Sequence, residues 1–215
     1  MFLEAERFTC PKTTELLETI KLKNGGYFNL SFHEERIERA YREIYGCKPD
    51  FILEEVLPIA PPREGIFRVR LKYPGNPIPT VEIIPYVFPS PESLKLVQDP
   101  DIVYDHKYGN RDKLNSLRDK VREEHGVSDF LLASNGFVTD TSISNVVFET
   151  REGEFVTPDT CLLPGTKRSF LLAKKTVRER PVRPRDIHGH KKLYFINAMI
   201  DIEDDVSVPV EKIIL

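Results

Sequence analysis

Tryptophan is absent from the 215 residues, and methionine and cysteine are scarce at two and three. Three cysteines cannot all pair, and Cys10, Cys47 and Cys161 stand far apart with no CxxC spacing. That argues against a disulfide scaffold and against a zinc module, and the thiols are expected to be reduced. An excess of one charge is also lacking. The 31 basic residues against 34 acidic ones leave a net charge of −3, which argues against general nucleic-acid binding, since that needs a basic face or tail. No basic head followed by an apolar run opens the sequence, so no signal peptide is expected. No apolar stretch approaches the ~20 residues of a membrane helix. Glycine-rich loops of the GxGxxG or GxxxxGK type are missing. The expectation is a cytoplasmic protein with a packed core, since 13 Phe and 8 Tyr supply large side chains to bury. Proline is plentiful, 17 residues, which is above the usual share of about 5%.

The pattern along the chain alternates strand and helix signals. Residues 16–23 read as a strand, Asn24-Gly25-Gly26 as a tight turn, and 27–32 as its partner strand. Ile37, Ala40, Tyr41 and Ile44 share one face of a helix predicted over 33–45, with Gly46 as its stop. Residues 66–73 alternate, with Val69, Leu71 and Tyr73 on one face and Arg68, Arg70 and Lys72 on the other. A proline-rich turn (Pro74, Pro77, Pro79) leads to a strand over 80–87, and 89–100 reads as a connector. A helix is expected over 110–124, hairpins around Asn135-Gly136 and Glu152-Gly153, and a helix after Pro164-Gly165. Residues 193–198 and 206–214 read as late strands. The fold class is α+β in two domains, 1–92 and 93–215.

Taken singly, the residues able to carry chemistry are few. His188 and His190 in HGH could face a metal, but no carboxylate or Cys spacing supports it, so a solvated loop is expected. His33-Glu34-Glu35-Arg36 lacks the second His of a metalloprotease motif. Gly165-Thr166-Lys167 at a helix start suits an anion, because the first turn presents free N–H groups; a capped surface helix is an equal reading. The run 140–145, DTSISN, is dense in small hydrogen-bonding side chains and by itself reads as a polar turn.

In order, these pieces resemble one family, the class IV (fold type IV) pyridoxal-phosphate enzymes. LETIKLKNGG at 17–26 looks like its opening hairpin, and His33 to Ile37 like its H-x-x-R-[LI] segment. Lys107-Tyr108-Gly109-Asn110-Arg111 is similar to the segment of the Schiff-base lysine. GFVTDTSISN at 136–145 resembles G-x-[VI]-T-E-x-x-x-x-N, and LPGTKR at 163–168 resembles LPGITR. Phe195 to Ala198 is similar to the family's last strand. Asp140 stands where most members have Glu, and Thr-Lys where they have Ile-Thr; the leading Asp-Arg-Gly…Gly-Asp-Gly stretch has no counterpart.

The resemblance implies a small N-terminal α/β sandwich, a C-terminal pseudo-barrel, and pyridoxal 5'-phosphate as cofactor. It implies Lys107 as the catalytic lysine, Asp140 on the pyridine nitrogen, and Arg36 on the phosphate with the N–H groups of Gly165, Thr166 and Lys167. Ser144 and Asn145 would hold the turn and touch cofactor or substrate. Arg68, Arg70 and Arg111 would meet a substrate with two carboxylates, or Arg68 and Arg70 are only the solvent face of a strand. The compact members it most resembles are 4-amino-4-deoxychorismate lyases, which release pyruvate and give 4-aminobenzoate, a folate precursor. A branched-chain or D-amino-acid aminotransferase is the alternative, and an inactive relative with a structural or regulatory role the third. A small-molecule amino-group substrate, a homodimer and association with the chorismate-amination enzyme complete the expectation.

Overall fold

The computed structural model describes residues 14–73 and 79–215. Strands β1 (Leu16–Lys23), β2 (Gly26–Tyr27), β3 (Ile66–Tyr73) and β4 (Thr80–Pro85) form an antiparallel sheet in the order β2-β1-β3-β4. Pairing runs from Leu16↔Tyr73 to Lys23↔Ile66. That register puts Leu16, Ile20, Leu22, Val69, Leu71 and Tyr73 on one face, where they bury against Ile37, Ala40 and Tyr41. Each such large apolar side chain contributes about 1.5–3 kcal/mol when fully buried. The opposite face carries Thr19, Lys21, Arg68 and Arg70, and it is this face that meets the rest of the chain.

Helix α1 spans Leu30–Ala40 and continues as a π-helical turn, Tyr41–Tyr45, stopped by Gly46 at φ 67°. The expected strand over 27–32 is therefore only Gly26–Tyr27. Asn29 at φ 57° breaks the extended backbone, and Leu30 already belongs to the apolar stripe of the helix. The wide turn brings both Tyr41 and Tyr45 into the core, ring centroids 5.2 Å apart. A short helix α2 (Leu53–Val56) follows. The proposed turn at Pro74 to Pro77 lies outside the described residues.

Among the described residues, nine strands build the second sheet. They are β5 (Leu94–Gln98), β6 (Asp129–Ser134), β7 (Phe137–Thr141), β8 (Asn145–Glu149), β9 (Phe155–Pro158), β10 (Arg178–Arg180), β11 (Lys192–Ile196), β12 (Ser207–Pro209) and β13 (Ile213–Ile214). The order is β10-β9-β8-β7-β6-β5-β13, and β11 joins both β8 and β12. Helix α3 (Asp112–His125) packs on this sheet through Leu114 and Val121, and α4 (Thr166–Ala173) through Leu171. The expected connector 89–100 holds a strand, β5, because its prolines fall outside 94–98 and Leu94 and Leu96 are buried. The expected strand 206–214 is split, since Pro209 has no N–H to continue the ladder and a 3₁₀ turn follows at Val210–Lys212. Cys161 is a free thiol, but Cys47 is disulfide-bonded, against the expectation of reduced thiols throughout. Among the described residues no helix is long and apolar enough to cross a membrane.

Candidate active site

The small sheet buries one charge on its apolar face. Glu18 is fully enclosed between Leu16 and Ile20 of β1. Arg36, one helix turn after His33 on α1, donates from Nε to Glu18 Oε1 at 2.9 Å and from Nη2 to Oε2 at 2.5 Å. His33 Nδ1 lies 2.5 Å from Oε2. Burial alone would raise the Glu18 carboxyl, but the Arg36 and His33 contacts overcome it and hold it at about 2. Burial keeps the His33 imidazole below its ordinary value despite the carboxylate beside it. A neutral ring can meet that carboxylate only by donating Nδ1–H.

Lys107 sits in a segment stitched to the start of β1. Leu17 N–H donates to the Lys107 carbonyl at 2.8 Å, and Gly109 N–H to the Glu15 carbonyl at 2.8 Å. Gly109 permits this approach, because a Cβ there would lie 2.5 Å from Glu15 Oε1. The dense protein around Lys107 disfavours its charged form, and the Arg36 and Arg111 guanidiniums add to this. Its ammonium is pulled down to about 7.

Asp140 is a buried residue of β7. Its Oδ1 accepts from Asn145 Nδ2 at 2.9 Å and its Oδ2 from Leu163 N–H at 2.9 Å. These neutral donors do not offset burial, and the carboxyl is pushed up to about 7. Asn145 also donates to the Leu163 carbonyl at 2.8 Å. Within DTSISN, Ser144 Oγ accepts from Asn197 Nδ2 at 3.0 Å, which ties the turn to the segment after β11. Arg111 Nη2 donates to the Ser142 carbonyl, and its guanidinium lies 5.7 Å from the Tyr104 ring centre.

These groups surround one cavity of about 170 Å³. Of the residues singled out from sequence, Arg36, Arg68, Lys107 and Arg111 line it. Asp140, Ser144, Asn145, Gly165 and Thr166 line it as well. Two do not. Arg70 shares the strand face of Arg68 but is not among the lining residues, and the Lys167 side chain pairs with Asp201 instead. Thr19, Tyr86, Tyr104 and Asn197 line the cavity without having been singled out. Glu18 was also missed, although a carboxylate in phase with Leu16, Ile20 and Leu22 is a legible signal of a buried partner. His188 and His190 lie near the carbonyls of Ile213, Asp186 and Ile187. Among the described residues no His, Cys, Asp and Glu group could hold a metal.

The family model for amino-transferase class IV matches residues 15–204. The chain belongs to the class IV aminotransferase family. An uncharacterized Haemophilus influenzae protein is 32% identical over 188 residues, 86% of this chain and 97% of that one. A solved Haemophilus somnus structure, provisionally named a 4-amino-4-deoxychorismate lyase, is 30% identical. It covers 87% of this chain and 97% of its own, with a TM-score of 0.73. A Brucella abortus aminotransferase bound to pyridoxal phosphate shares the fold at 18% identity, covering 93% of this chain and 81% of its own, TM-score 0.68. This class IV member accordingly has an α+β fold.

Proposed function

We propose that the Lys107 cavity binds pyridoxal phosphate and that the enzyme is a lyase that releases pyruvate from 4-amino-4-deoxychorismate. The donor set suits the cofactor. Thr166 Oγ1 is buried, unbonded and lines the cavity at the first turn of α4. That turn and Arg36 would hold the phosphate. Lys107 would hold the aldehyde, and Asp140 would meet the ring nitrogen. Bound pyridoxal phosphate supplies an electron sink for a carbanion at the amino-bearing carbon. Lys107 Nζ, neutral at mildly alkaline pH, takes the proton from that carbon. The C–O bond to the enolpyruvyl group then breaks, the released enolate takes up a proton to become pyruvate, and the ring becomes aromatic.

One observation carries the lyase reading over an aminotransferase. Arg68 and Arg111 both line the cavity with a buried Nε that has no partner, which suits a substrate with two carboxylates. The name of the Haemophilus somnus relative supports it. We take 1–92 and 93–215 as the two domains, with a cytoplasmic homodimer and the chorismate-amination enzyme as supplier of substrate. The purified protein should convert 4-amino-4-deoxychorismate to 4-aminobenzoate and pyruvate in equal amounts. Transamination of L- or D-amino acids with 2-oxoglutarate, and no 4-aminobenzoate, would overturn the assignment. Uptake of pyridoxal phosphate, followed by absorbance, should accelerate as pH rises through about 7 rather than near the ordinary lysine value. Lys107→Ala should give no such band.

A further inference from the structure

The two halves of the phosphate cradle come from different sheets. Arg36 is fixed by Glu18 of β1, whereas Thr166 opens α4 on the large sheet. Something must set the spacing between them, because a phosphate bound from two sides tolerates little misplacement.

A short turn, Ile202–Asp204 with Asp201 at its N-cap, reaches both α4 and β1 through two carboxylates. Asp201 pairs with the Lys167 ammonium of α4, and its Oδ1 accepts from Ile202 N–H at 3.0 Å. Asp204 Oδ2 accepts from Asp201 N–H at 2.8 Å and from the Lys21 ammonium of β1 at 3.3 Å. The polar path therefore runs from α4 through Lys167, Asp201, Asp204 and Lys21 to β1. Lys21 stands three residues after Glu18 on the same strand. Both lysines are nearly enclosed, with side chains 5% and 9% exposed. Each also lies over an aromatic ring, Lys167 at 5.1 Å from the Phe170 centre and Lys21 at 5.6 Å from that of Phe88. Phe170 in turn meets Phe32 of α1 edge-on at 6.0 Å, one helix turn before Arg36.

We propose that the 201–204 turn is a clip between the sheets, so that Lys21, Lys167, Asp201 and Asp204 are positioning residues for the cofactor phosphate. This rests on the reading that Arg36 and the start of α4 hold that phosphate. It also gives Lys167 a task in this chain: its side chain tethers the helix, and Thr166 is left as the hydroxyl facing the cavity.

The full-length chain is titrated with pyridoxal phosphate and, separately, with pyridoxal, which lacks the phosphate. Lys21→Met and Lys167→Met should each weaken pyridoxal phosphate by about tenfold while changing pyridoxal less than about twofold, because only the phosphate senses the spacing. Should Lys167→Met not fold, Lys21→Met and Asp204→Asn carry the test, since Asp204 is the more exposed partner. Arg36→Met is the control. If it leaves phosphate selectivity intact, the cradle reading fails and the clip with it. If it removes selectivity while the clip variants, folded by thermal melt, keep it, the clip alone is overturned.

Discussion

The small-sheet and large-sheet sides of the molecule each bury a carboxylate, and they treat it in opposite ways. Glu18 faces Arg36 and His33 and is held at about 2. Asp140 accepts from the Asn145 amide and the Leu163 N–H, and burial outweighs these and the Arg168 charge, pushing it up to about 7. The Glu18 carboxylate has its counter-charge without any ligand. The Asp140 side keeps a carboxyl that a cationic group arriving in the cavity would ionise. The Glu18 charge is finished by folding, and the Asp140 charge is completed by what binds.

Breaking the finished side should cost the most stability. Glu18→Gln leaves the Arg36 guanidinium buried without its counter-charge, a loss of roughly 3 kcal/mol near neutral pH. The sign follows from the lowered carboxyl. Its contribution is complete above the ordinary value of 4.5 and is lost as pH falls toward about 2. Denaturant melts of wild type and variant should therefore converge on acidification. A gap that stays constant with pH would mean that Glu18 contributes packing rather than charge.

Breaking the unfinished side should harm turnover more than folding. Asp140→Asn removes the charge proposed for the ring nitrogen, and turnover should fall roughly a hundredfold, about 2.7 kcal/mol in barrier. In the cofactor-free protein Asp140 is protonated in the fold up to about pH 7 but only to about 3.8 when unfolded. Its burial therefore lowers stability progressively as pH rises between those values, and the Asn variant should lack that slope. Unchanged turnover, or an unchanged slope, would erase the contrast with Glu18.

The two sides also differ in how far they can be read from sequence. Strand Ile66–Tyr73 was legible to the residue because three apolar side chains alternate with three cations. The turn at Asn135-Gly136 was legible because its φ angles of 51° and 81° suit those two residue types. The Asp140 turn and the start of α4 are local motifs, and they were found. The Glu18 network was not, since its partners lie 15 and 18 residues away on a helix whose start was misplaced. Lys167 was read as part of a local motif, yet its partner Asp201 is 34 residues on. Arg68 and Arg70 share one strand face in sequence, but only the packing of the second sheet decides which of them lines the cavity.

The smallest expected effect separates space from backbone conformation on the Asp140 side. Gly165 has an ordinary φ of −75°, so flexibility does not explain it. A Cβ there would clash with Asn145 Oδ1. Gly165→Ala must therefore displace Asn145, whose Nδ2 serves both Asp140 and the Leu163 carbonyl. The cost should be about 2 kcal/mol, with weaker pyridoxal phosphate binding. Gly136 is the opposite case, with φ 81° and nothing within 4 Å of an added Cβ. Gly136→Ala should cost about 1 kcal/mol through backbone strain alone and leave cofactor affinity unchanged. Equal losses of affinity in the two variants would show that Asn145 relays nothing from Gly165 to Asp140.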